Sequence, residues 1–266
     1  MIKVGFIGSG NMATAIMEGM LHTKLLSEKD LAVYDISEEK RNTFRGRGIQ
    51  AFDSVPETVE CCEYIFLSVK PQVIPSVLEQ MKECSREGKT FVSIAAGISG
   101  KYVQSILGEN TNLILVMPNT PLLIGYGATA MSRMEPTPIE NFEFVKNIFA
   151  CAGTVCEIKP NQMNEVIPIN GSSPAFIYRF AKLFVDQAVE MGFEAKDANN
   201  LFCASLIGSA HMMMESGKSH QELIDMVTSP GGTTKKGLEA MDREGFDQAV
   251  RCAIEECIQR AYEIGR

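Results

Sequence analysis

Apolar positions along this chain follow two rhythms. Up to about residue 160 they gather in short unbroken runs; beyond it they recur every three or four residues. Val4, Phe6 and Ile7 make the first run, Leu31–Tyr34 the second, Tyr64–Val69 the third, Thr90–Gly97 the fourth and Asn112–Met117 the fifth. Such runs, closed by turn residues and separated by helical stretches, predict βαβ units and a mostly parallel, doubly wound sheet. One of those helical stretches spans about Gln72 to Cys84. Ala128–Met131 and Thr154–Glu157 read as further short strands flanking a helix from about Glu140 to Phe149, and the strand signal stops near Lys159-Pro160. Helical periodicity then covers Pro174–Met191, Ala198–Ser216 and Phe246–Ile264, with shorter helices at Gln221–Met226 and Thr234–Arg243. The last long helix puts Val250, Ile254, Cys257, Ile258 and Ala261 on one face. His211 reads as a packed or partly buried histidine and Met212–Met214 as core filler.

The first run leads into Gly8-Ser9-Gly10-Asn11-Met12-Ala13 and then a helix. In this G-x-G-x-x-A pattern Gly8 makes a tight turn, Gly10 lets backbone approach a pyrophosphate, and Ala13 lets helix pack on strand. The free N–H groups at the helix start would hold the phosphates. Any tight strand-to-helix turn favours glycine, but the strand–turn–helix context is what the dinucleotide motif requires. The expectation is an N-terminal Rossmann-type domain, residues 1–160, followed by an all-α domain, 161–266, whose apolar faces suit dimerisation.

Ligands of such sheets bind beyond the carboxyl ends of the strands. Ser68–Pro71, Ala95–Gly97 and Pro118–Pro121 all fall there and converge with the glycine turn on one crevice. Asp35 closes the second strand; an acid there suits the hydroxyls of an adenosine ribose and repels a 2′-phosphate. Alternatively Asp35 caps the helix that Ser37-Glu38-Glu39-Lys40 could also start. Lys40 and Arg41 are near enough to favour a phosphate, so NADH and NADPH both stay open.

Composition narrows the function classes. A net charge of -8 argues against nucleic acid and anionic membrane surfaces as partners. No apolar run approaches the ~20 residues that span a bilayer, and the start lacks the layout of a secretory signal, so the expected location is the cytoplasm. Eight cysteines form no C-x-x-C pair and three histidines are scattered, which predicts buried thiols and no metal site.

Two stretches of the second half are not explained by helix periodicity. Ser229-Pro230-Gly231-Gly232-Thr233-Thr234 offers a nest of backbone N–H groups suited to a carboxylate, or a helix start capped by Ser229 or Thr233. Gly171-Ser172-Ser173-Pro174 poses the same alternative before a long helix.

Together these stretches resemble the pyrroline-5-carboxylate reductase family over essentially the whole chain. The resemblance rests on G-F-I-G-x-G-N-M-A at the start, V-K-P at Val69–Pro71, A-A-G at Ala95–Gly97 and M-P-N-T-P at Met117–Pro121. It continues through G-S-S-P-A at Gly171–Ala175 and S-P-G-G-T-T at Ser229–Thr234. It implies reduction of the cyclic imine 1-pyrroline-5-carboxylate to L-proline by NADPH or NADH, the final step of proline synthesis. It also implies that Ile7, Gly8, Ser9, Gly10, Asn11 and Met12, with Ser68, Val69, Lys70 and Pro71, contact the dinucleotide. Ile94, Ala95 and Ala96 lie by the nicotinamide end. Ser173, Ser229, Gly231, Gly232, Thr233 and Thr234 belong to the substrate, the loop amides holding its carboxylate and the Thr234 hydroxyl reaching its ring nitrogen as the catalytic group. A dimer with interlocked helical domains, extending in some members to a ring of dimers, is implied as well.

Three positions depart from the family pattern. Asp35 stands where NADPH-preferring members have a small polar residue, Ile169-Asn170 where Leu-Ser is commoner, and Met226 where some members have a cofactor-contacting Asn. The competing readings are a β-hydroxyacid dehydrogenase, whose lysine would have to be the ill-placed Lys182, and a non-catalytic dinucleotide sensor, which predicts a degraded second site.

Overall fold

The structure, a computed structural model, describes residues 1–265. The first part runs β1 (Ile2–Ile7), α1 (Asn11–His22), β2 (Leu31–Tyr34), α2 (Glu38–Gly46), β3 (Gln50–Ala51), α3 (Val55–Cys61) and β4 (Cys62–Leu67). It continues with α4 (Ile74–Met81), β5 (Thr90–Ser93), α5 (Gly100–Leu107), β6 (Asn112–Met117), β7 (Gly127–Met134), α6 (Ile139–Ala150) and β8 (Gly153–Glu157). The second part is helical: α7 (Ser173–Glu190), α8 (Ala195–Glu215), α9 (His220–Met226), α10 (Thr233–Arg243) and α11 (Phe246–Ile264).

The strands form one sheet in the order β3-β2-β1-β4-β5-β6-β7-β8. Only β7 runs antiparallel to its neighbour β6; the other pairings are parallel. Chain order reverses at β1, which lies between β2 and β4, and this is where a doubly wound sheet opens a crevice. Side chains of β1 alternate between the two faces. Val4 and Phe6 join α1, α2 and α6, while Ile7 joins the core shared with α3, α4 and α5. The Phe6 and Phe66 rings are 4.7 Å apart and both are fully buried, each burial worth about 1.5–3 kcal/mol. Helix α1 supplies a stripe of Ala13, Ile16, Met17 and Met20 against the same face. The helix expected from Gln72 is shorter, α4, preceded by a 3-10 turn over Pro71–Val73.

Packing divides the chain into residues 1–174 with 256–266, and residues 175–255. The change of rhythm near residue 160 falls earlier because the short turns beyond it still pack on the sheet. Met163 and Ile167 join its core, and Asn170 donates to the carbonyls of Met117 (2.6 Å) and Ala128 (3.0 Å). The π-helical turn Ile167–Gly171 is held by that amide, so Asn170 sustains the turn its neighbours make.

Within residues 175–255, Phe180, Phe184, Phe202 and Phe246 form an aromatic cluster, the Phe184 and Phe202 rings 4.5 Å apart. Elsewhere the helices keep their apolar faces open. Met212, Met213 and Met214 are 44%, 48% and 72% exposed, so in a single chain they fill no core. His211 is exposed as well and meets Glu215 at 2.7 Å, one turn along the helix. Among the described residues no helix is long and apolar enough to cross a membrane.

All eight cysteines are free, and they differ in setting: Cys62 and Cys84 are buried, whereas Cys156 and Cys252 are exposed. Burial, with Cys61 beside it, pushes the Cys62 thiol up to about 12. Because the thiolate is the reactive form, a thiol reagent at neutral pH is expected to label the exposed Cys156 and Cys252 first and Cys62 only on unfolding. Peptide mapping of the labelled protein checks this; equal labelling rates would show that the α3–β4 corner opens readily.

Candidate functional site

The carboxyl ends of β1, β2 and β4 enclose a cleft of about 380 Å³. Its floor is the glycine turn. Gly8 has φ +95, a conformation open to glycine, and a Cβ there would lie 2.8 Å from the Ser68 carbonyl. Its N–H donates to Tyr34 O (2.7 Å), and the Ser68 hydroxyl donates to Gly8 O (2.6 Å), so β2 and β4 both grip the turn. Gly10 contrasts with it: its φ is ordinary, and a Cβ would meet nothing within 4 Å. Gly10 caps α1, no side chain satisfies that helix start, and its first turn carries no acid. Unpaired N–H groups beside open space at a helix N-terminus fit the pyrophosphate of a dinucleotide.

Asp35 is buried at the end of β2. Its Oδ2 accepts from the N–H and the hydroxyl of Ser9, both at 2.9 Å, and its Oδ1 accepts from Ser37 N–H at 3.0 Å. Burial pushes this carboxyl up, but the hydrogen bonds from Ser9 and Ser37, with Lys40 beside it, outweigh that and hold it below its ordinary value. Asp35 does not cap the next helix; Ser37 does, accepting from Lys40 N–H. Of the two basic candidates, Lys40 lines the cleft, half-exposed, with Nζ 3.4 Å from Asp35 Oδ2. Arg41 is turned away, donating to Asp35 O (2.7 Å) and meeting Asp53 at 3.3 Å. Val69 and Lys70 also line the cleft.

Ile94, Ala95 and Ala96 follow β5 at the same edge of the sheet. The glycine after them is required by packing. Gly97 has φ +80, and a Cβ there would lie 2.7 Å from the carbonyl of Ala261 in the last turns of α11. Beyond β6, Asn119 donates to Asn170 O (3.2 Å) and accepts from Ala128 N–H (2.9 Å), which fixes the Pro118–Pro121 segment. Ser173 opens α7, half-buried, its hydroxyl 3.5 Å from Asn170 O.

The Ser229–Thr234 stretch is exposed almost throughout. Gly231 has φ +75, Gly232 N–H donates to Ser229 O (3.0 Å), and Gly232 is the residue that caps α10. Neither Ser229 nor Thr233 takes the capping role, and the first turn of α10 has no acid, so its amides stand ready for an anion. Thr233 and Thr234 are the first two residues of that helix. Sequence reasoning passed over Tyr34, Ile36, Val73 and Val77 in the cleft wall. The signal in the sequence is an isoleucine directly after Asp35, outside any apolar run; in the structure it is 90% exposed.

Comparison with known proteins bears on both parts. Residues 160–264 match the family profile described as pyrroline-5-carboxylate reductase dimerisation. Residues 3–97 match that of NADP oxidoreductase, coenzyme F420-dependent. The chain is 32% identical over 265 residues to pyrroline-5-carboxylate reductase of Escherichia coli, covering 99% of this chain and 98% of the relative. It is 30% identical to pyrroline-5-carboxylate reductase 3 of Mus musculus, over 99% of this chain and 96% of that one. The crystal structure of Plasmodium falciparum pyrroline carboxylate reductase with NADP bound superposes with a TM-score of 0.91. It is 28% identical and covers 100% of this chain and 98% of that chain.

Proposed function

The chain belongs to the pyrroline-5-carboxylate reductase family, and from that premise we propose how its residues reduce 1-pyrroline-5-carboxylate to L-proline with NAD(P)H. The bound dinucleotide supplies the hydride. The chain's task is to orient, to hold charge and to place a proton.

The open start of α1, with Gly8, Ser9, Gly10, Asn11 and Met12, takes the pyrophosphate. Ser68, Val69, Lys70 and Pro71 border it, and Ile94, Ala95 and Ala96 receive the nicotinamide end. The amides of the Ser229–Thr234 loop, which no side chain caps, take the substrate carboxylate, and Ser173 is assigned to the substrate as well. Protonation of the ring nitrogen makes the imine carbon electrophilic; the Thr234 hydroxyl hydrogen-bonds that nitrogen and holds its proton. Hydride adds to the carbon of the C=N bond and its π electrons become the nitrogen lone pair, so the product is a secondary amine. This chemistry asks for no histidine–aspartate pair.

The single observation that carries the reading is that α1 and α10 each start at a glycine cap, with no side-chain hydrogen bond to the helix start and no acid in the first turn. The test is oxidation of NADH and NADPH, in parallel, with 1-pyrroline-5-carboxylate. Turnover is expected with both, with the higher kcat/KM for NADH, because a 2′-phosphate would face ionised Asp35, whose neighbour Lys40 is already paired. An NADPH preference would transfer the 2′ site to Lys40. No turnover in folded protein that binds either dinucleotide would remove the reductase assignment.

The family profile over residues 160–264 supports oligomerisation, as do the open apolar faces of α7 and α8. We extend this to a homodimer, assembled further into a ring of dimers. A cytoplasmic location accords with the acidic charge and the free thiols.

A further inference from the structure

Ser9 lies between two glycines, and it is the one residue of Gly8-Ser9-Gly10 whose side chain can anchor the turn. Both of its donors, the backbone N–H and the hydroxyl, go to a single oxygen, Asp35 Oδ2, at 2.9 Å each. Both residues are buried, Ser9 5% and Asp35 8% exposed. The other carboxylate oxygen is tied to Ser37 N–H, so Asp35 is fastened from its own side before it holds Ser9. The charged groups around it are Lys40, 3.4 Å from Oδ2, and Arg41, which donates to the Asp35 carbonyl rather than to its side chain.

Resting on the dinucleotide reading above, we propose that Ser9 and Asp35 form a latch in which Asp35 is a positioning residue for the glycine turn. The latch sets affinity for the dinucleotide through Ser9, whether or not the ribose carries a 2′-phosphate. Glycines on either side leave the turn many conformations to lose on binding. Two charge-assisted bonds into a buried carboxylate remove that freedom beforehand. Any contact of Asp35 with the ribose is a separate role. It discriminates between NADH and NADPH, whereas the latch does not. The burial of the carboxylate also explains why an acid tolerates this place: three hydrogen bonds keep it ionised there.

The experiment titrates NADH and NADPH, without substrate, into the full-length wild type, Ser9→Ala, Asp35→Ala and the double variant. Nicotinamide fluorescence or calorimetry gives the Kd, and steady-state runs give KM and kcat. Ser9→Ala is expected to raise both Kd values by a common factor of about ten or more, since it removes one hydrogen bond to a charged group. Its loss falls more heavily on the dinucleotide KM than on kcat. Asp35→Ala raises both Kd values and also shifts their ratio towards NADPH. The double variant matches Asp35→Ala, because the latch is already gone. Ser9→Ala Kd values within twofold of wild type would overturn the latch, as would a change confined to one dinucleotide, or additive effects in the double variant. If Asp35→Ala does not fold, the common factor in Ser9→Ala decides alone. Wild type that binds neither dinucleotide overturns both the latch and the functional reading. Wild type that binds and turns over while Ser9→Ala stays silent overturns the latch only.

Discussion

Gly10→Val is expected to abolish dinucleotide binding and to leave the protein folded. The two halves of that result have different causes. A Cβ at Gly10 meets no protein atom within 4 Å, and its φ of -73 with ψ of -177 is open to any residue. The folded chain therefore loses little beyond the helix-capping preference, about 1 kcal/mol. The proposed site puts the pyrophosphate in the open space beside Gly10, and the valine branches would fill it. Dissociation constants for NADH and NADPH should rise by on the order of a hundredfold or more, while the melting temperature falls by only about 2–4 °C. Fluorescence titration and a thermal melt on the same sample check both. Gly8→Ala is the opposite case. At φ +95, with the Ser68 carbonyl 2.8 Å from the new Cβ, the backbone itself must move, at a cost of about 1–3 kcal/mol. Intact binding by Gly10→Val would refute the assignment of this turn.

The contrast between the two glycines also shows what could be read from the chain alone. The G-x-G-x-x-A spacing located the turn, since strand, turn and helix are neighbours in sequence. The motif also read Gly8 as the tight turn and Gly10 as the open approach, and φ +95 at the first with free space beside the second agree with that reading. Asp35 was legible as an acid at the end of a strand, but its bonds to Ser9 join residues 26 apart and depend on the β1–β2 register. Its capping alternative fell because Ser37, two residues on, has the better geometry. Short elements escaped for another reason. Helix α3 is seven residues long, too short to show a period, and only the Ser54 hydroxyl, accepting from Glu57 N–H, marks its start. Helix α5 likewise hid behind its Ser99 cap. In the helical part the apolar period was plain and its meaning was not: Met212, Met213 and Met214 are apolar side chains that a single chain leaves without cover.

Thr234→Ala separates the chemistry of the second loop from its architecture. Thr234 is the second residue of α10, it is exposed, and the helix is capped by Gly232. Alanine has the higher helix propensity, by up to about 0.7 kcal/mol. The variant should therefore be at least as stable as the wild type, and a lost activity cannot be charged to unfolding. Removing a group that holds a proton at the reacting nitrogen should lower kcat by about a hundredfold. Affinity for NAD(P)H, measured without substrate, should stay within twofold, because the proposed role of the hydroxyl is on the imine and not on the dinucleotide. Thr234→Ser keeps the hydroxyl and should recover most of the turnover. Steady-state kinetics of the two variants, with melting curves as the control, make the comparison. Wild-type turnover in Thr234→Ala would leave the loop as a carboxylate nest alone, with the nitrogen's proton taken from water. A loss equal in the alanine and serine variants would point to the methyl group, and hence to packing against the ring rather than proton placement.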